Sequence, residues 1–425
     1  MRVLWFANTP SNYSASGSAY NGYGWVSALE SAISGQVQLG VAFLTRSNPR
    51  DMTLRQVNLV SHKVKWGKDF QHGVMYYPVF NGHDKNRSGR FMLLLHGDKK
   101  QEAELVETYR RIVEDFRPDI IQVFGSEHSF GLVASQTKVP VILHVQGLMG
   151  PCFKSYLPPG SSWRQYILSP FRPGLVLYKI YSREKWRRAV ERERRILSGI
   201  RYYLGRTWWD RQQVSQIRPD AVFFDGGELM RRPFYETDAD PANLPAELTL
   251  VSTISEAPYK GFDLILRTGK ILREEYRLDF KWTVFGNVEP RYFEIFTGIS
   301  VAEAGITLGG VASAEQLAAE ISHASLYVHP SYVENSPNSV CEAQLLGVPV
   351  VATSVGGVSS LIDDGRTGFL VRSGSAEEIA ERIVAMYRNR ELLRSVGRNA
   401  RAEALKRHDR EKIASSLLEV YRQLV

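Results

Sequence analysis

Residues His329 to Gly357, HPSYVENSPNSVCEAQLLGVPVVATSVGG, decide the fold because they combine a strand end, a turn, a helix and a second strand. Ser336 is a good N-cap residue and Pro337 suits the first position of a helix. The run PVVATS that follows is rich in β-branched residues, which is typical of a buried strand. The two glycines behind it would let the backbone approach a ligand closely. This order indicates one unit of a parallel α/β sheet.

Two glutamates, Glu334 and Glu342, flank the turn in this stretch. Backbone N–H groups at Asn338 and Ser339 would lie at the positive end of the helix, where a phosphate can bind. Glu342 would lie in the first turns of the helix and could accept hydrogen bonds from vicinal hydroxyls such as a ribose diol. A single glutamate is more often a capping or solvated carboxylate, but the pair in this context favours a nucleotide site.

The same alternation of strands and helices extends over the whole chain. The first half contains β-branched runs at Val3–Ala7, Val37–Leu44, Asp119–Gly125, Val139–Val145 and Tyr202–Gly205. The second half repeats the pattern with LTLVST, FKWTVFG, SLYVHP, VPVVATS and GFLV. Strand–helix alternation favours parallel sheets with right-handed crossovers. We predict an α/β fold of two Rossmann-like domains facing a cleft, residues 1–235 and 236–405, with a C-terminal helix, 406–425, packing back across the join.

Bulk composition agrees with a two-domain globular protein. The chain has 425 residues, 44% apolar and 23% charged, too long for one ordinary core. The start MRVLWFANTP lacks the pattern of a signal peptide, and no run reaches the ~18 apolar residues of a membrane helix. The two cysteines, Cys152 and Cys341, have no metal-ligand spacing and suit buried free thiols. We therefore expect a cytoplasmic protein.

The net charge of +8 is unevenly distributed. Residues 1–235 hold 33 Lys and Arg against 19 Asp and Glu, whereas residues 236–425 hold 20 against 26. Residues 161–206 alone carry 12 basic and 3 acidic residues interleaved with aromatic ones. This pattern suits either a solvated helix or an anionic membrane surface. In the second case, the apolar contacts would come from Trp163, Tyr166, Phe171 and Leu175, and the cations from Arg183, Lys185, Arg187 and Arg188.

From Leu248 to Val371 the sequence resembles the family-4 retaining glycosyltransferases of the GT-B fold. PSYVENSPNSVCEAQLLGVPVVATSVGG resembles the family's signature of two glutamates, and IDDGRTGFLV continues it. STISEAPYKGFDLIL resembles its phosphate-binding turn, while WTVFGN and ITLGGVASAEQL resemble its nucleotide-contacting loops. The blocks VFGSEHS, HVQGL and YLGRTWWD resemble a bacterial branch associated with capsular or other surface polysaccharide synthesis.

The resemblance implies roles for individual residues. Lys260 would bind the diphosphate of the donor, Glu342 the ribose hydroxyls, and Glu334 the donor sugar near the reacting carbon. The other donor contacts implied are Gly22 from the first domain, with Gly286, Asn287, Val311, Asn338 and Ser339 from the second. No Asp-x-Asp motif accompanies these residues, so no metal ion or other cofactor is expected.

This sequence departs from the family pattern in two places, a cation near the phosphate-binding lysine and a histidine in the first domain. The family has an arginine about five residues before the lysine, where Ile254 and Ser255 supply no cation. Its first-domain histidine corresponds to Gln146, while His144 lies on the same face of the strand. His144 is a candidate catalytic residue if it is exposed at the strand end, and a structural role is the alternative. Gln146, Glu127 and His128 are candidates for acceptor binding.

Together these features predict transfer of a sugar from a nucleoside diphosphate sugar to a glycan or lipid-linked hydroxyl, with retention of configuration. A glycan phosphorylase and a sugar-nucleotide epimerase are less consistent with the motif order. A dehydrogenase is disfavoured because ASGSAYNGYG lacks the G-x-G-x-x-G spacing. No module for binding nucleic acid is recognisable. A catalytically silent subunit that binds the sugar nucleotide remains the alternative from another class.

Overall fold

The computed structural model describes residues 1–13, 23–45, 56–61, 63–81, 99–237, 239 and 245–425. The chain divides into two compact units. The first comprises residues 1–150, 181–229 and 409–425, and the second comprises residues 151–180 and 230–408. Among the described residues, no helix is both long and apolar enough to span a membrane.

The described strands are β1 (Arg2–Ala7), β2 (Gln38–Thr45), β3 (Gln56–Leu59), β4 (Val64–Gln71), β5 (Val74–Asn81), β6 (Ile120–Phe124), β7 (Val141–His144), β8 (Tyr202–Gly205), β9 (Val222–Asp225), β10 (Leu248–Thr253), β11 (Phe280–Phe285), β12 (Ile306–Gly310), β13 (Leu326–His329), β14 (Val350–Thr353) and β15 (Phe369–Val371).

The described α-helices are α1 (Tyr23–Ile33), α2 (Lys99–Phe116), α3 (Met149–Lys154), α4 (Trp163–Leu168), α5 (Pro173–Gly199), α6 (Trp208–Ser215), α7 (Pro233–Glu236), α8 (Phe262–Glu274), α9 (Pro290–Thr297), α10 (Ala314–Ser322), α11 (Asn338–Leu345), α12 (Ala376–Arg388), α13 (Arg390–Arg407) and α14 (Arg410–Leu424).

The sheet of the first unit has the strand order β3-β4-β5-β2-β1-β6-β7-β8-β9. Among the described strands, β3–β4 and β4–β5 pair antiparallel, and the other neighbours in this order pair in parallel. The five predicted strands are present within one or two residues. The antiparallel edge and β9 were not predicted. A tight turn at His72 and Gly73, both with positive φ, joins β4 to β5, which is the usual geometry of a two-residue hairpin loop.

The last helix, α14, packs against the sheet of the first unit. The phenol of Tyr421 is fully buried; it accepts a hydrogen bond from Trp5 Nε1 at 3.0 Å and donates one to Gln122. The apolar face of the helix, including Ile413, Leu417 and Leu418, joins the core formed by β1, β2 and α1. Helix α14 therefore belongs to the same unit as β1.

The second unit has a six-stranded sheet in which every pair is parallel, in the order β12-β11-β10-β13-β14-β15. Its inner strands β10, β13 and β14 are largely buried, as expected where helices cover both faces of a parallel sheet, whereas the edge strand β12 is exposed after Ile306. Parallel pairing places the carboxyl ends of all six strands at one edge, which is where ligands bind in open α/β sheets. We call this edge the donor edge.

Residues 151–180 belong to the second unit, although the predicted boundary assigned them to the first. The reason is an aromatic cluster. Tyr166 packs edge-on against Tyr292 with ring centroids 4.9 Å apart, and Ser161 Oγ lies 2.5 Å from the Tyr292 hydroxyl. The buried Lys179 ammonium donates to the carbonyl oxygens of Tyr166 and Ser169 at 2.7 and 2.6 Å.

Candidate functional site

The donor edge of the second unit gathers most of the residues predicted to bind the donor. Lys260 follows β10 and Glu334 follows β13, the neighbouring strand. Gly286 and Asn287 follow β11, and Val311 follows β12. Asn287 and Val311 are exposed, whereas Glu334 is 8% exposed. Gly22 lies outside the described residues.

Glu334 is the centre of a buried polar cluster. Its Oε1 accepts hydrogen bonds from Lys260 Nζ at 2.6 Å and from Ser331 Oγ at 2.8 Å. His329 Nε2 lies 3.2 Å from the same oxygen. Burial alone would raise the pKa of Glu334, but the Lys260 ammonium and His329 lower it well below its usual range. Glu334 is therefore ionised at neutral pH.

The Lys260 ammonium keeps the capacity to bind an anion. An ammonium has three N–H donors, and among the described residues the hydrogen bond to Glu334 uses one of them. The side chain remains 21% exposed, whereas that of Glu334 is 9% exposed. Lys260 can therefore hold Glu334 and still donate to a phosphate at the donor edge.

The glycine pair at residues 356–357 approaches the backbone of Glu334. Gly356 has φ +53°, and a Cβ atom at this position would lie 1.8 Å from the carbonyl oxygen of Glu334. Gly357 N donates to that oxygen at 3.1 Å. Only glycine fits at residue 356, and the pair fixes the turn that presents the Glu334 carboxylate.

Glu342 lies on α11 and forms a two-point ion pair with Arg231. Arg231 Nε donates to Oε1 at 2.7 Å and Nη2 donates to Oε2 at 2.8 Å. The exposed fractions of the two side chains are 16% for Arg231 and 6% for Glu342. Burial raises the pKa of Glu342, and the guanidinium opposes that rise. The paired geometry favours the ionised carboxylate.

Helix α11 begins at Asn338, one residue after the predicted first position, so its N-cap residue is Pro337 rather than Ser336. Pro337 has an extended conformation, and its carbonyl oxygen accepts from Val340 N at 3.1 Å. The Tyr327 hydroxyl on β13 lies 2.5 Å from Oγ1 of Thr253, the last residue of β10. This contact ties the two neighbouring strands together near the donor edge.

His144 does not have the exposed position that its candidacy required. It is the last residue of β7 and is 1% exposed. Its ring packs edge-on against Trp25 at 5.2 Å, and Nδ1 lies 3.5 Å from Gln122 Nε2. Burial, followed by the charge of Arg206, lowers the pKa of His144 to about 3. The condition of exposure is therefore not met, and the burial favours the structural alternative for His144.

The candidates Glu127, His128 and Gln146 follow β6 and β7 at the carboxyl edge of the first sheet. The Glu127 carboxylate accepts from Gly147 N at 3.3 Å and from Asn8 Nδ2 at 3.4 Å. Burial raises the pKa of Glu127 to about 7. His128 is exposed and Gln146 is half-buried. Of the three, Glu127 has the environment of a proton acceptor near neutral pH.

Glycine at position 125 makes room for the Glu127 carboxylate. Gly125 has φ +78°, and a Cβ atom there would lie 1.9 Å from Glu127 Oε2. Replacing it with any other residue would therefore displace the carboxylate, and the left-handed backbone conformation would itself be strained.

Sequence reasoning missed Arg231, His329 and Ser331. His329 and Ser331 lie within the stretch that predicted the site, five and three residues before Glu334. Their contacts arise because the turn after β13 folds back on the strand end. Arg231 lies 111 residues before Glu342, in a segment that carries no sequence motif for the site, so only the tertiary structure reveals it.

Comparison with known proteins supports this description of the second unit. Residues 245–389 match the family model described as Glycosyl transferases group 1. A D-inositol 3-phosphate glycosyltransferase of Arthrobacter sp. is 34% identical over 149 residues, which cover 34% of this chain and 35% of that protein. CapM of Staphylococcus aureus, a capsular polysaccharide biosynthesis glycosyltransferase, is 32% identical over 97 residues, 23% of this chain and 26% of that protein. The chain thus spans about a third or less of the length of these two curated relatives.

Solved structures resemble the whole chain at low sequence identity. Sucrose-phosphate synthase from Thermosynechococcus elongatus has a TM-score of 0.70 at 16% identity, covering 100% of this chain and 98% of that chain. HepE of Anabaena, solved with UDP and glucose, has a TM-score of 0.61 at 15% identity, covering 100% of both chains. The chain therefore has the GT-B fold of glycosyltransferases, and residues 245–389 form the part that the group 1 family model matches.

Proposed function

We propose that the protein is a retaining glycosyltransferase that moves a sugar from a nucleoside diphosphate sugar to a hydroxyl group of a glycan or lipid-linked acceptor. One observation carries the proposal: Lys260 and Glu334 are paired at the donor edge of a parallel sheet, where α11, the helix that carries Glu342, begins. This edge lies within the segment that the group 1 family model matches. HepE, a structural relative, was solved with UDP and glucose, which supports a nucleotide-sugar donor.

In the proposed reaction, the acceptor oxygen bonds to the anomeric carbon while the bond from that carbon to the diphosphate oxygen breaks. Negative charge grows on the departing diphosphate. Lys260 and the first N–H groups of α11 are aimed at this charge, and such preorganised donors are usually the largest contribution to catalysis. A phosphate oxygen of the leaving group takes the proton from the attacking hydroxyl on the same face, which retains the configuration. No metal ion is required in this scheme.

We also propose a role in surface polysaccharide synthesis at a membrane. The relative CapM is named for capsular polysaccharide biosynthesis. On residues 151–180 of the second unit, the side chains of Phe171, Leu177 and Tyr178 are 71%, 64% and 47% exposed. Exposed apolar side chains beside the exposed cations Arg164 and Arg172 suit an anionic lipid surface.

The residues that the sequence predicted for membrane contact need revision. Trp163 stacks on Tyr156 with ring centroids 5.1 Å apart, and Tyr166 packs against Tyr292, so both belong to the internal aromatic cluster. Arg187 pairs with Glu184 at 2.8 Å and with Glu191 at 2.5 Å. Arg188 also pairs with Glu184, and Leu175 is half-buried. Phe171 is the predicted apolar contact that remains exposed.

The proposed activity is tested by incubating the purified protein with a panel of nucleoside diphosphate sugars. A thermal shift identifies the donor, release of nucleoside diphosphate measures turnover, and NMR of the product gives its anomeric configuration. EDTA should leave the activity unchanged. A donor that binds without hydrolysis or transfer, even with membrane extracts as acceptor, would indicate the silent subunit instead. An inverted product would contradict retention.

A further inference from the structure

Two separate turns of the second unit carry Lys260 and Glu334 at the donor edge. Lys260 lies in residues 258–261 after β10, which we call the lysine turn, and Glu334 lies in residues 330–334 after β13, which we call the glutamate turn. In the proposed function, Lys260 binds the diphosphate while Glu334 contacts the sugar to be transferred. The two charged groups therefore have to keep a fixed distance for the donor to bind in a reactive position.

The backbones of the two turns are in close contact. Tyr332 N donates to the carbonyl oxygen of Tyr259 at 2.8 Å. A Cβ atom at Gly261 would lie 2.1 Å from the carbonyl oxygen of Pro330. The turns are therefore packed against each other without spare space, and a shift of one turn displaces the other.

A hydrogen bond between side chains adds a second connection. The Tyr332 hydroxyl donates to Asp263 Oδ2 at 2.6 Å. Asp263 is 2% exposed and lies in the first turn of α8, directly after the lysine turn. Burial raises the pKa of Asp263 to about 6, so the group is largely ionised at neutral pH, and a hydrogen bond to an ionised partner is stronger than a neutral one. Tyr332 thus contacts the chain on both sides of Lys260, Tyr259 before it and Asp263 after it.

We infer that Tyr332 and Asp263 are positioning residues that set the distance between the Lys260 ammonium and the Glu334 carboxylate for sugar transfer. This inference rests on the proposed function, because it needs a donor that contacts both charged groups. Neither residue was predicted to have a role, although each lies within three residues of Lys260 or Glu334. Both act through the two turns and need not touch the donor.

The Lys260 ammonium needs this support because it ends a flexible stem of four carbons. Its hydrogen bond to Glu334 restrains the ammonium only while the backbones of both turns keep the two side chains within reach. A misplacement of about 1 Å in a catalytic site can lower turnover about 100-fold. The hydrogen bond between Tyr332 and Asp263 should therefore matter for turnover beyond its contribution to stability.

Two conservative variants test this role. Tyr332→Phe removes only the hydroxyl, and Asp263→Asn removes the charge while keeping the size of the side chain. The probes are the nucleoside diphosphate sugar that the donor panel identifies and the nucleoside diphosphate that it releases. Each variant should lower kcat at least about 10-fold, because transfer needs Lys260 and Glu334 at the correct distance. The affinity for the nucleoside diphosphate, measured by calorimetry, should stay within about 3-fold of the wild type, because this ligand lacks the sugar that Glu334 contacts.

The variant Tyr292→Phe supplies a matched control in the same unit. Tyr292 is 3% exposed and its hydroxyl lies 2.5 Å from Ser161 Oγ, so this variant also removes a hydrogen bond of a tyrosine and keeps the ring. Both phenylalanine variants should unfold a few degrees below the wild type, but Tyr292→Phe should keep the wild-type kcat. The double variant of Tyr332 and Asp263 should lose no more than the larger single loss, since both changes remove the same hydrogen bond.

The outcomes separate this inference from the proposed function. A wild-type kcat in Tyr332→Phe, or an equal loss of kcat in Tyr292→Phe, overturns the inference. A loss of nucleoside diphosphate affinity as large as the loss of kcat also overturns it, because the pair would then act on Lys260 alone. If Asp263→Asn does not fold, Tyr332→Phe decides. A wild type that turns over no donor of the panel refutes the proposed function, whereas wild-type turnover with an unaffected Tyr332→Phe refutes only this inference.

Discussion

Replacing Lys260 with alanine tests the donor site and the stability of the second unit in one variant. The exposed fractions of Lys260 and Glu334 are 21% and 9%, with the charged atoms 2.6 Å apart. Removing one partner of a buried ion pair costs about 3–5 kcal/mol, because the remaining charge is left without compensation. Lys260 retains some contact with solvent, and Ser331 still donates to the carboxylate. We therefore expect a loss of about 3 kcal/mol in the free energy of unfolding.

Calorimetric unfolding measures this loss. A unit of 150–250 residues shifts by about 2–4 °C per kcal/mol, so the unfolding temperature of the second unit should fall by roughly 6–12 °C. The control is Lys281→Ala. Lys281 lies 2.7 Å from Glu247, but these side chains are 71% and 47% exposed, and surface pairs contribute only about 0–1 kcal/mol. The nucleotide affinity of Lys260→Ala should fall about 10- to 150-fold, whereas that of Lys281→Ala should not change.

The pH dependence of this loss follows from the pKa of Glu334. In the wild type, the Lys260 ammonium and His329 overcome the effect of burial and hold the pKa of Glu334 below its usual range. A carboxylate with a lowered pKa stabilises the fold above its unfolded pKa, and this contribution is lost as the pH falls through the acidic range. Without Lys260, burial dominates and the pKa rises, so the difference in stability between variant and wild type should shrink toward pH 4. An unfolding temperature and a nucleotide affinity both equal to those of the wild type would refute the reasoning.

Three further predictions concern catalysis, pH and the membrane. Glu334→Gln should lower turnover more than donor affinity, because its proposed target is the reacting sugar; equal losses in both, measured by steady-state kinetics and calorimetry, would argue against that target. Burial raises the pKa of Glu127 to about 7. If the ionised form of Glu127 binds the acceptor hydroxyl, kcat/KM should rise as the pH increases through about 7. The same rise should be absent from the pH profile of Glu127→Gln. The double variant Phe171→Ser with Leu177→Ser should be released from anionic vesicles at low salt. The control Ile295→Ser, which removes an equally apolar side chain that is 44% exposed, should stay bound. Unchanged binding of the double variant would contradict the proposed membrane surface.

The sequence predicts the parallel sheets well because their strands are continuous β-branched runs between helical patterns. In the second unit, β10, β11, β13, β14 and β15 lie where their runs predicted them. The antiparallel edge of the first unit is harder to predict, since VKWGKDFQ and VMYYPVFN mix apolar and polar residues and no helix separates them. Residues 151–180 belong to the second unit because their aromatic side chains contact residues far away in the sequence, such as Tyr292. The spacing of the aromatic residues within the segment does not reveal these contacts.

The position of a residue in the sequence does not determine whether it is buried in the folded site. Gln146 and His144 are two residues apart, yet Gln146 is half-buried beyond the end of β7 while His144 lies in the core. The motif around Glu334 and Glu342 predicted the strand, the turn and the helix that carry these residues, because a β-branched run followed by a helix start is typical of a parallel sheet. The cations that pair with them come from other parts of the chain, Lys260 from the turn after β10 and Arg231 from the turn before α7.

The sequence lacks the family's arginine before Lys260, so the charge available to bind a diphosphate depends on how the other charged residues are paired. Glu334 with Lys260 and Glu342 with Arg231 are two ion pairs, so these four residues contribute no net charge to the donor edge. A diphosphate that arrives there cannot rely on an excess of cations from this set. Its charge must be met by N–H donors that the pairs leave unused, those of the Lys260 ammonium and of the first turn of α11. In the proposed reaction, such a site would stabilise the leaving group through the direction of its N–H dipoles more than through net charge.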